Sequence, residues 1–279
     1  MTRAPINKII PLSLVDGPGN RTSIFLQGCN LACAYCHNPE TQRLCNHCGI
    51  CVSGCPSGAL TIASGRVNWD PEICMLCDQC INVCPSFASP RVRNMTPEDV
   101  FQEVQKNIPF IRGITVSGGE CTLYPNFIKE LFAKARENGL TCLIDSNGTT
   151  DFSRFPELME LCQGVMLDVK AWDEQTYRKL TAGYTNSVVK KNLHYLADCN
   201  KLEELRIVCL PGEVDAEAVI NGMAETIGVK VSSVKLKLIK FRRYGVKGRQ
   251  QNTPSPDDDY MQELLRLASG LGFKKAVIV

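Results

Sequence analysis

From about residue 91 the chain switches regularly between two hydrophobic periods. One is the short apolar run of a buried strand; the other is the three-to-four spacing of an amphipathic helix. The segment "TPEDVFQEVQKN" opens with Thr96 as a cap and Pro97 at the first helical position, a helix start. "GITVSGGE" is a short β-rich run that ends in glycines. "YPNFIKELFAKAREN" puts Phe127, Leu131, Phe132 and Ala135 on one helical face and stops at Gly139. "LTCLIDSNG" predicts the next strand, "PELMELC" a helix, "GVMLDVK" a strand and "NSVVKKNLHYLADC" a helix. The strand "LRIVCL" closes at Pro211-Gly212, followed by the helix "DAEAVINGMAETIG" and the strand "VKLKLIKF". The helix "PDDDYMQELLRLASG" and the strand "KKAVIV" finish the chain.

Alternation of this kind implies a parallel sheet with crossover helices. Counting the early apolar strand "TSIFLQ" gives six main strand–helix units, an α/β sheet that is open or barrel-like. The polar motifs follow strands: "GCN" after the first, "SGGE" after the second, "DSNG" after the third, "DVK" at the end of the fourth. In a parallel barrel that rim is where chemistry collects.

Residues 41–90 break the pattern. They are rich in cysteine and proline and have little room for a core of their own. Of 16 cysteines, eleven lie between Cys29 and Cys84. A disulfide scaffold that dense would be short and would spread its cysteines across the fold. The first twenty residues lack a sustained apolar core and a small-residue cleavage site, so no signal peptide is expected. The expected compartment is a reducing cytoplasm, and the expected use of the cluster is metal. With only His37, His47 and His194, a histidine-rich zinc site is excluded as the main chemistry. A formal charge of +2 gives no electrostatic footprint for nucleic acid. No apolar run reaches the roughly 18 residues of a membrane span. A monomer is expected.

The metal-ligand spacings are specific. "CNHCGICVSGCP" (45–56) and "CMLCDQCINVCP" (74–85) are each C-x2-C-x2-C-x3-C-P, the run of bacterial two-cluster ferredoxins. The fourth cysteine of each run ligates the other cube. This assigns Cys45, Cys48, Cys51 and Cys84 to one [4Fe-4S] cluster, and Cys74, Cys77, Cys80 and Cys55 to a second. Zinc is the competing reading, since C-x2-C pairs also bind it. Eight cysteines complete two clusters. Cys29, Cys33 and Cys36 in "GCNLACAYCHN" are therefore a separate site. Three thiolates on a four-iron cube leave one iron open, as catalytic zinc keeps a position for substrate. The competing reading is a fourth ligand from a distant cysteine such as Cys121.

C-x3-C-x-aromatic-C, with Tyr35 before the last cysteine, resembles the signature of the radical S-adenosylmethionine (SAM) superfamily. "VDGPGNR", "QGCN", "YCHNPET" and "SGGE" narrow the likeness to activating enzymes of glycyl radical enzymes. The ferredoxin runs, "KIIPLSLVDGPGNR" and "ELRIVCLPG" narrow it to the YjjW-type branch. The resemblance covers nearly the whole chain. It implies a partial (β/α)6 barrel from residues 1–40 and 91–279, with a ferredoxin-like domain inserted at 41–90. It implies three [4Fe-4S] clusters. The open iron of the Cys29, Cys33, Cys36 cluster would bind SAM, and one electron would cleave it to methionine and a 5′-deoxyadenosyl radical. That radical would take hydrogen from a glycine of a partner glycyl radical enzyme. The electron would come from a donor such as flavodoxin or ferredoxin.

The resemblance carries over single residues. Gly118, Gly119 and Glu120 match the glycine motif along the methionine part of SAM. Asp145 and Ser146, with Met166 and Asp168, match positions that hold a monovalent cation beside SAM; turn aspartates are the alternative. Lys170 and Arg206 match basic positions near the SAM carboxylate; a solvated surface charge is the alternative. Asp16 matches a loop facing the protein substrate, with a plain Gly/Pro turn as its rival. Three departures stand out: Cys121 follows the glutamate where Pro or Ala is usual, Ser146 replaces a frequent Thr, and Arg242 stands after Phe241 where a histidine is often presented. Cys142, Cys162, Cys199 and Cys209 read as small core residues. Two rival functions remain: an iron–sulfur electron carrier, and a radical SAM enzyme acting on a small molecule.

Overall fold

A computed structural model describes residues 2–279. The elements in chain order are β1 (Ala4–Ser13), β2 (Arg21–Leu26), β3 (Leu60–Ala63), β4 (Arg66–Trp69), α1 (Gln79–Asn82), β5 (Arg93–Met95) and α2 (Pro97–Gln105). Then come β6 (Gly113–Gly118), α3 (Pro125–Glu137), β7 (Thr141–Ser146), α4 (Pro156–Leu161), β8 (Gly164–Asp168), α5 (Glu174–Thr181) and α6 (Ser187–Asp198). The chain finishes with β9 (Leu202–Cys209), α7 (Ala216–Ile227), β10 (Lys235–Lys240), α8 (Asp258–Gly270) and β11 (Lys275–Ile278).

Nine strands form one sheet in the order β11-β10-β9-β8-β7-β6-β2-β1-β5. Every neighbour pair from β2 to β11 is parallel. The alternation along the chain thus gives the parallel sheet it predicts, and the C-terminal ends of β2, β6, β7 and β8 share one rim. The apolar face of α3 is as expected, with Phe127, Leu131, Phe132 and Ala135 buried, and Gly139 follows at φ +72°. At the start of α2 the Thr96 hydroxyl accepts from Asp99 N, and Asp99 Oδ2 accepts from Thr96 N. That capping box satisfies two otherwise orphaned donors.

Two elements go beyond the sequence expectation. β1 runs antiparallel to β2 and to the short edge strand β5. Its "APINKIIPLS" carries two prolines and pairs with register breaks at Ile6/Lys8 and Ile10/Ser13, so period-two alternation is lost. α5 is polar over most of its length and buries only Tyr177, Leu180 and Thr181. It holds together through its cap, with Asp173 Oδ2 accepting from Thr176 N at 2.7 Å.

Residues 45–58 and 70–91 are mostly turns. The β3–β4 hairpin between them closes at Ser64-Gly65, both at positive φ, the geometry of a tight hairpin turn. Cys51, Leu60 and Val67 form a small buried cluster separate from the main core.

Candidate functional site

β2 runs straight into the three-cysteine loop, and backbone hydrogen bonds fix that loop from two sides. Gly28 N and Cys29 N donate to Thr41 O and Gln42 O at 2.7 and 2.8 Å. Ala32 N and Ala34 N donate to Thr181 O and Leu180 O, both at 2.8 Å. The last turn of α5 therefore carries the loop on its free carbonyls, which a helix end leaves available. Gln27, fully buried, adds a strut: its amide donates to Glu40 O and Arg43 O, each at 2.6 Å.

Cys29, Cys33 and Cys36 line one cavity of about 330 Å³ at the strand rim. Its wall also contains Tyr35, Gly118, Gly119, Glu120, Asp145, Ser146, Asp168, Lys170 and Arg206, and Asp16. The volume is that of a small-ligand or cofactor site. Every residue that sequence reasoning assigned to the open cluster or to SAM reaches this cavity. Met166 does not line it; this residue is fully buried, with Sδ 3.1 Å from Arg206 Nη2.

Backbone crowding explains the glycine pair. A Cβ on Gly118 would lie 2.2 Å from Leu26 O, and one on Gly119 would lie 2.2 Å from Gly28 O. Gly119 N and Glu120 N donate to those same carbonyls at 3.0 and 2.8 Å. The glycines thus let the end of β6 lie directly on the cysteine loop.

Glu120 is 1% exposed. Its carboxylate accepts from Thr122 N (3.0 Å), the Thr122 hydroxyl, Ser146 Oγ (2.9 Å) and Asn147 N (2.7 Å). Burial still pushes its pKa above the ordinary range, against those bonds. The carboxylate is spent on holding the turn after β7. That turn presents Asn147, whose side-chain amide lies 3.8 Å from Cys29 Sγ and 3.2 Å from Asn30 Oδ1. Asn147 lines the cavity and was missed from sequence; it sits inside the quoted "DSNG" but reads there as a turn residue.

The charged wall is internally paired. Arg206 is 11% exposed and donates to Asp145 Oδ2 at 3.0 Å and to Glu204 Oε1. Ser117 Oγ donates to the same Asp145 oxygen at 2.9 Å. Burial raises the Asp145 pKa, and Arg206 opposes it. Lys170 Nζ is 2.7 Å from Asp168 Oδ2 and 5.9 Å from the Tyr35 ring centre. Burial alone would lower Lys170, but Asp168, Tyr35 and Cys33 outweigh it and leave its pKa well above the usual value. Lys170 and Arg206 are therefore buried charges, which rules out the solvated-surface reading for both. Both aspartates expected beside a monovalent cation already carry a protein cation.

The cysteines themselves are protonated thiols near neutral pH. Burial pushes Cys29 up to about 11 and Cys33 to about 12, and raises Cys36 as well. A cluster bound there would displace three protons. The donor set fits an iron–sulfur cube: three thiols, no competing carboxylate ligand among them, and a glycine backbone beside them. The phenol oxygen of Tyr35 is buried without a hydrogen-bond partner in the same wall. Among the described residues no three His, Cys, Asp or Glu side chains converge on a point that would hold a single metal ion. Cys121 is not a hidden fourth ligand. It is fully buried, and its thiol donates to Val116 O and Asp145 O at 3.4 and 3.3 Å.

A second, smaller cavity lies in the cysteine-rich segment. Cys55, Cys74, Cys77 and Cys80 all line it. Cys51 is buried with Leu60 and Val67, and Cys55 and Cys80 pack against that cluster.

Asp16 lines the cavity with Oδ2 accepting from Ser13 Oγ and Ser23 Oγ at 2.6 and 2.7 Å. His37 lines the cavity; its Nε2 lies 2.8 Å from Arg242 O, and its ring packs 6.0 Å from Phe241. Arg242 itself is exposed. Of the spare cysteines, Cys142, Cys162 and Cys209 are buried as expected. Cys199 is not a core residue: it caps the end of α6 and is exposed.

Residues 23–220 match the model of the radical SAM superfamily. A Haemophilus influenzae protein that carries the name of a glycyl-radical enzyme activating enzyme is 32% identical over 263 residues, covering 87% of this chain and 84% of that protein. The indoleacetate decarboxylase activating enzyme of Tractidigestivibacter scatoligenes is 28% identical over 305 residues, covering 98% of this chain and 96% of that one. The crystal structure of QueE from Escherichia coli aligns over 99% of this chain and 94% of its own, with a TM-score of 0.58 at 14% identity, a likeness of fold. With the cavity and its three-cysteine loop, these matches place the chain: it belongs to the radical SAM superfamily and, within it, to the glycyl-radical enzyme activating enzymes.

Proposed function

We propose that this chain activates a partner glycyl radical enzyme by reductive cleavage of SAM in the 330 Å³ cavity. Residues 1–40 and 91–279 act as a partial (β/α)6 barrel, and 41–90 as a ferredoxin-like insert. The observation that carries the reading is the meeting of Cys29, Cys33 and Cys36 with Gly118-Gly119 and the Lys170 and Arg206 charges in one wall. Cys29, Cys33 and Cys36 would hold a [4Fe-4S] cluster with an open iron. Bound together there, the cluster and SAM supply one-electron cleavage of the sulfonium and abstraction of hydrogen from the partner's glycine.

This chain's own residues do the rest. Gly118-Gly119 bring the end of β6 onto the cysteine loop and leave backbone for the methionine end of SAM. Lys170 and Arg206, each paired with an aspartate, set their cationic groups in the wall beside the SAM carboxylate. Asp145 and Asp168 line the same wall, and a monovalent cation beside them would share them with Arg206 and Lys170. Asp16, tied to Ser13 and Ser23, fixes the loop at the mouth where the partner's glycine enters. In the insert, Cys45, Cys48, Cys51 and Cys84 would hold one further cluster, and Cys55, Cys74, Cys77 and Cys80 another. They would relay single electrons from a flavodoxin- or ferredoxin-type donor to the open cluster, hold the partner enzyme, or both, in a monomeric activase in a reducing cytoplasm.

The test is anaerobic reconstitution of the full chain, reduction, addition of SAM and quantification of 5′-deoxyadenosine. The control replaces Cys29, Cys33 and Cys36 by alanine and keeps the eight insert cysteines. Product from the native chain alone supports the reading. No product from either, with iron bound and reduced, overturns it in favour of an electron carrier. Appearance of a glycyl radical signal by electron paramagnetic resonance (EPR) on a partner enzyme separates activation from small-molecule chemistry.

A further inference from the structure

The cavity lined by Cys55, Cys74, Cys77 and Cys80 also contains a cation. Arg91 shares its wall with those four cysteines, with Trp69 and with Asp78. The Arg91 side chain is 15% exposed and pairs with Asp78, which is 56% exposed. Its backbone is fixed as well. Arg91 N donates to Ser89 Oγ at 3.1 Å, and Ser89 N donates to Glu40 O at 3.1 Å. Glu40 O is the same carbonyl that Gln27 holds at the end of β2. The guanidinium is thus set on a strut from the barrel, not on a free loop. Trp69 Nε1 is buried in the same segment with no hydrogen-bond partner.

A four-iron cube gains one negative charge when reduced. A fixed, largely covered cation beside the cube stabilises that added charge. Asp78 offsets it only in part, because water screens an exposed carboxylate.

We propose that Arg91 is a positioning residue that raises the reduction potential of the cluster on Cys55, Cys74, Cys77 and Cys80. The proposal rests on the two-cluster reading of the insert. The cluster takes one electron from a one-electron donor protein of the flavodoxin or ferredoxin class and later releases one electron; no atom is transferred.

The test is an EPR-monitored redox titration of the reconstituted full chain, with iron counted in every sample. A Cys74→Ala, Cys77→Ala double variant assigns the signal by its loss. Arg91→Gln is expected to raise the oxidised-to-reduced ratio of that one cluster roughly tenfold at fixed potential, a fall of about 59 mV in its midpoint. Arg91→Lys retains the charge and the native midpoint. Asp78→Asn removes the offsetting carboxylate and moves the midpoint up. The proposal is overturned by an unmoved midpoint in Arg91→Gln or by equal shifts in all clusters. Should Arg91→Gln lose iron, the upward shift in Asp78→Asn decides: its absence also overturns the proposal. Native protein that binds only about four irons defeats the two-cluster reading itself; about twelve irons with no shift defeats Arg91 alone.

Discussion

Ala32 N donates to Thr181 O at 2.8 Å, so the cysteine loop hangs on the last turn of α5. A helix of eight residues that buries three side chains has little stability of its own. Its start depends on the Asp173 cap to Thr176 N. Replacing Asp173 by alanine is expected to cost about 1 kcal/mol of folding stability. It should also loosen the loop that α5 carries. The check is thermal unfolding together with iron retention. Iron should be lost first from the cluster that responds to SAM, with the insert clusters intact.

The two cavity glycines call for a different outcome from a glycine on the surface. Gly119→Ala would place Cβ 2.2 Å from Gly28 O and 2.6 Å from Thr41 O, both backbone. Neither atom can swing aside, so the loop or β6 must move. SAM binding by equilibrium dialysis is expected to vanish, with a fall in stability above about 3 kcal/mol. Gly212→Ala, at φ +74° with nothing within 4 Å, should cost only about 1 kcal/mol and leave SAM binding intact.

Much of this site was legible because strand ends can be read from periodicity. "SGGE", "DSNG" and "DVK" close β6, β7 and β8, and parallel pairing brings them to one rim. Cysteine spacing named the three-thiol loop without any fold. What stayed hidden depends on long-range contact. Asn147 gains its place beside Cys29 only because Glu120 holds its backbone across two strands. Arg91 belongs to no sequence motif, and its cavity is assembled from residues up to 36 positions apart. β1 escaped because prolines and bulges erase its alternation, and α5 because its buried face is three residues wide.

The Arg206 network makes a prediction about charge rather than volume. Arg206→Met would leave Asp145 and Glu204 buried; their side chains are 14% and 3% exposed. Removing one partner of a buried pair typically costs 3–5 kcal/mol, because the other charge is stranded. Denaturant unfolding should show a loss of about that size. Lys235 and Lys237 also reach Glu204, at 3.6 and 3.0 Å, so the larger share falls on Asp145. Combining Arg206→Met with Asp145→Asn should therefore recover part of the loss. A double variant no better than the single one would show that Asp145 is not the stranded charge.

The α2 cap predicts a pH dependence. The Asp99 pKa lies below its ordinary 3.8, mainly because Thr96 N donates to its carboxylate, with the Thr96 side chain second. The folded value is thus lower than the unfolded one. Such a group adds stability above the unfolded value, and that stability disappears as pH falls through the folded value. Asp99→Asn removes the charge at every pH. The gap in unfolding midpoint between native protein and Asp99→Asn should stay constant from about pH 8 to 5. It should close below about pH 4, where the native carboxylate becomes protonated too. A gap that persists unchanged into that acid range would mean that Asp99 acts through geometry alone, with no part played by its charge.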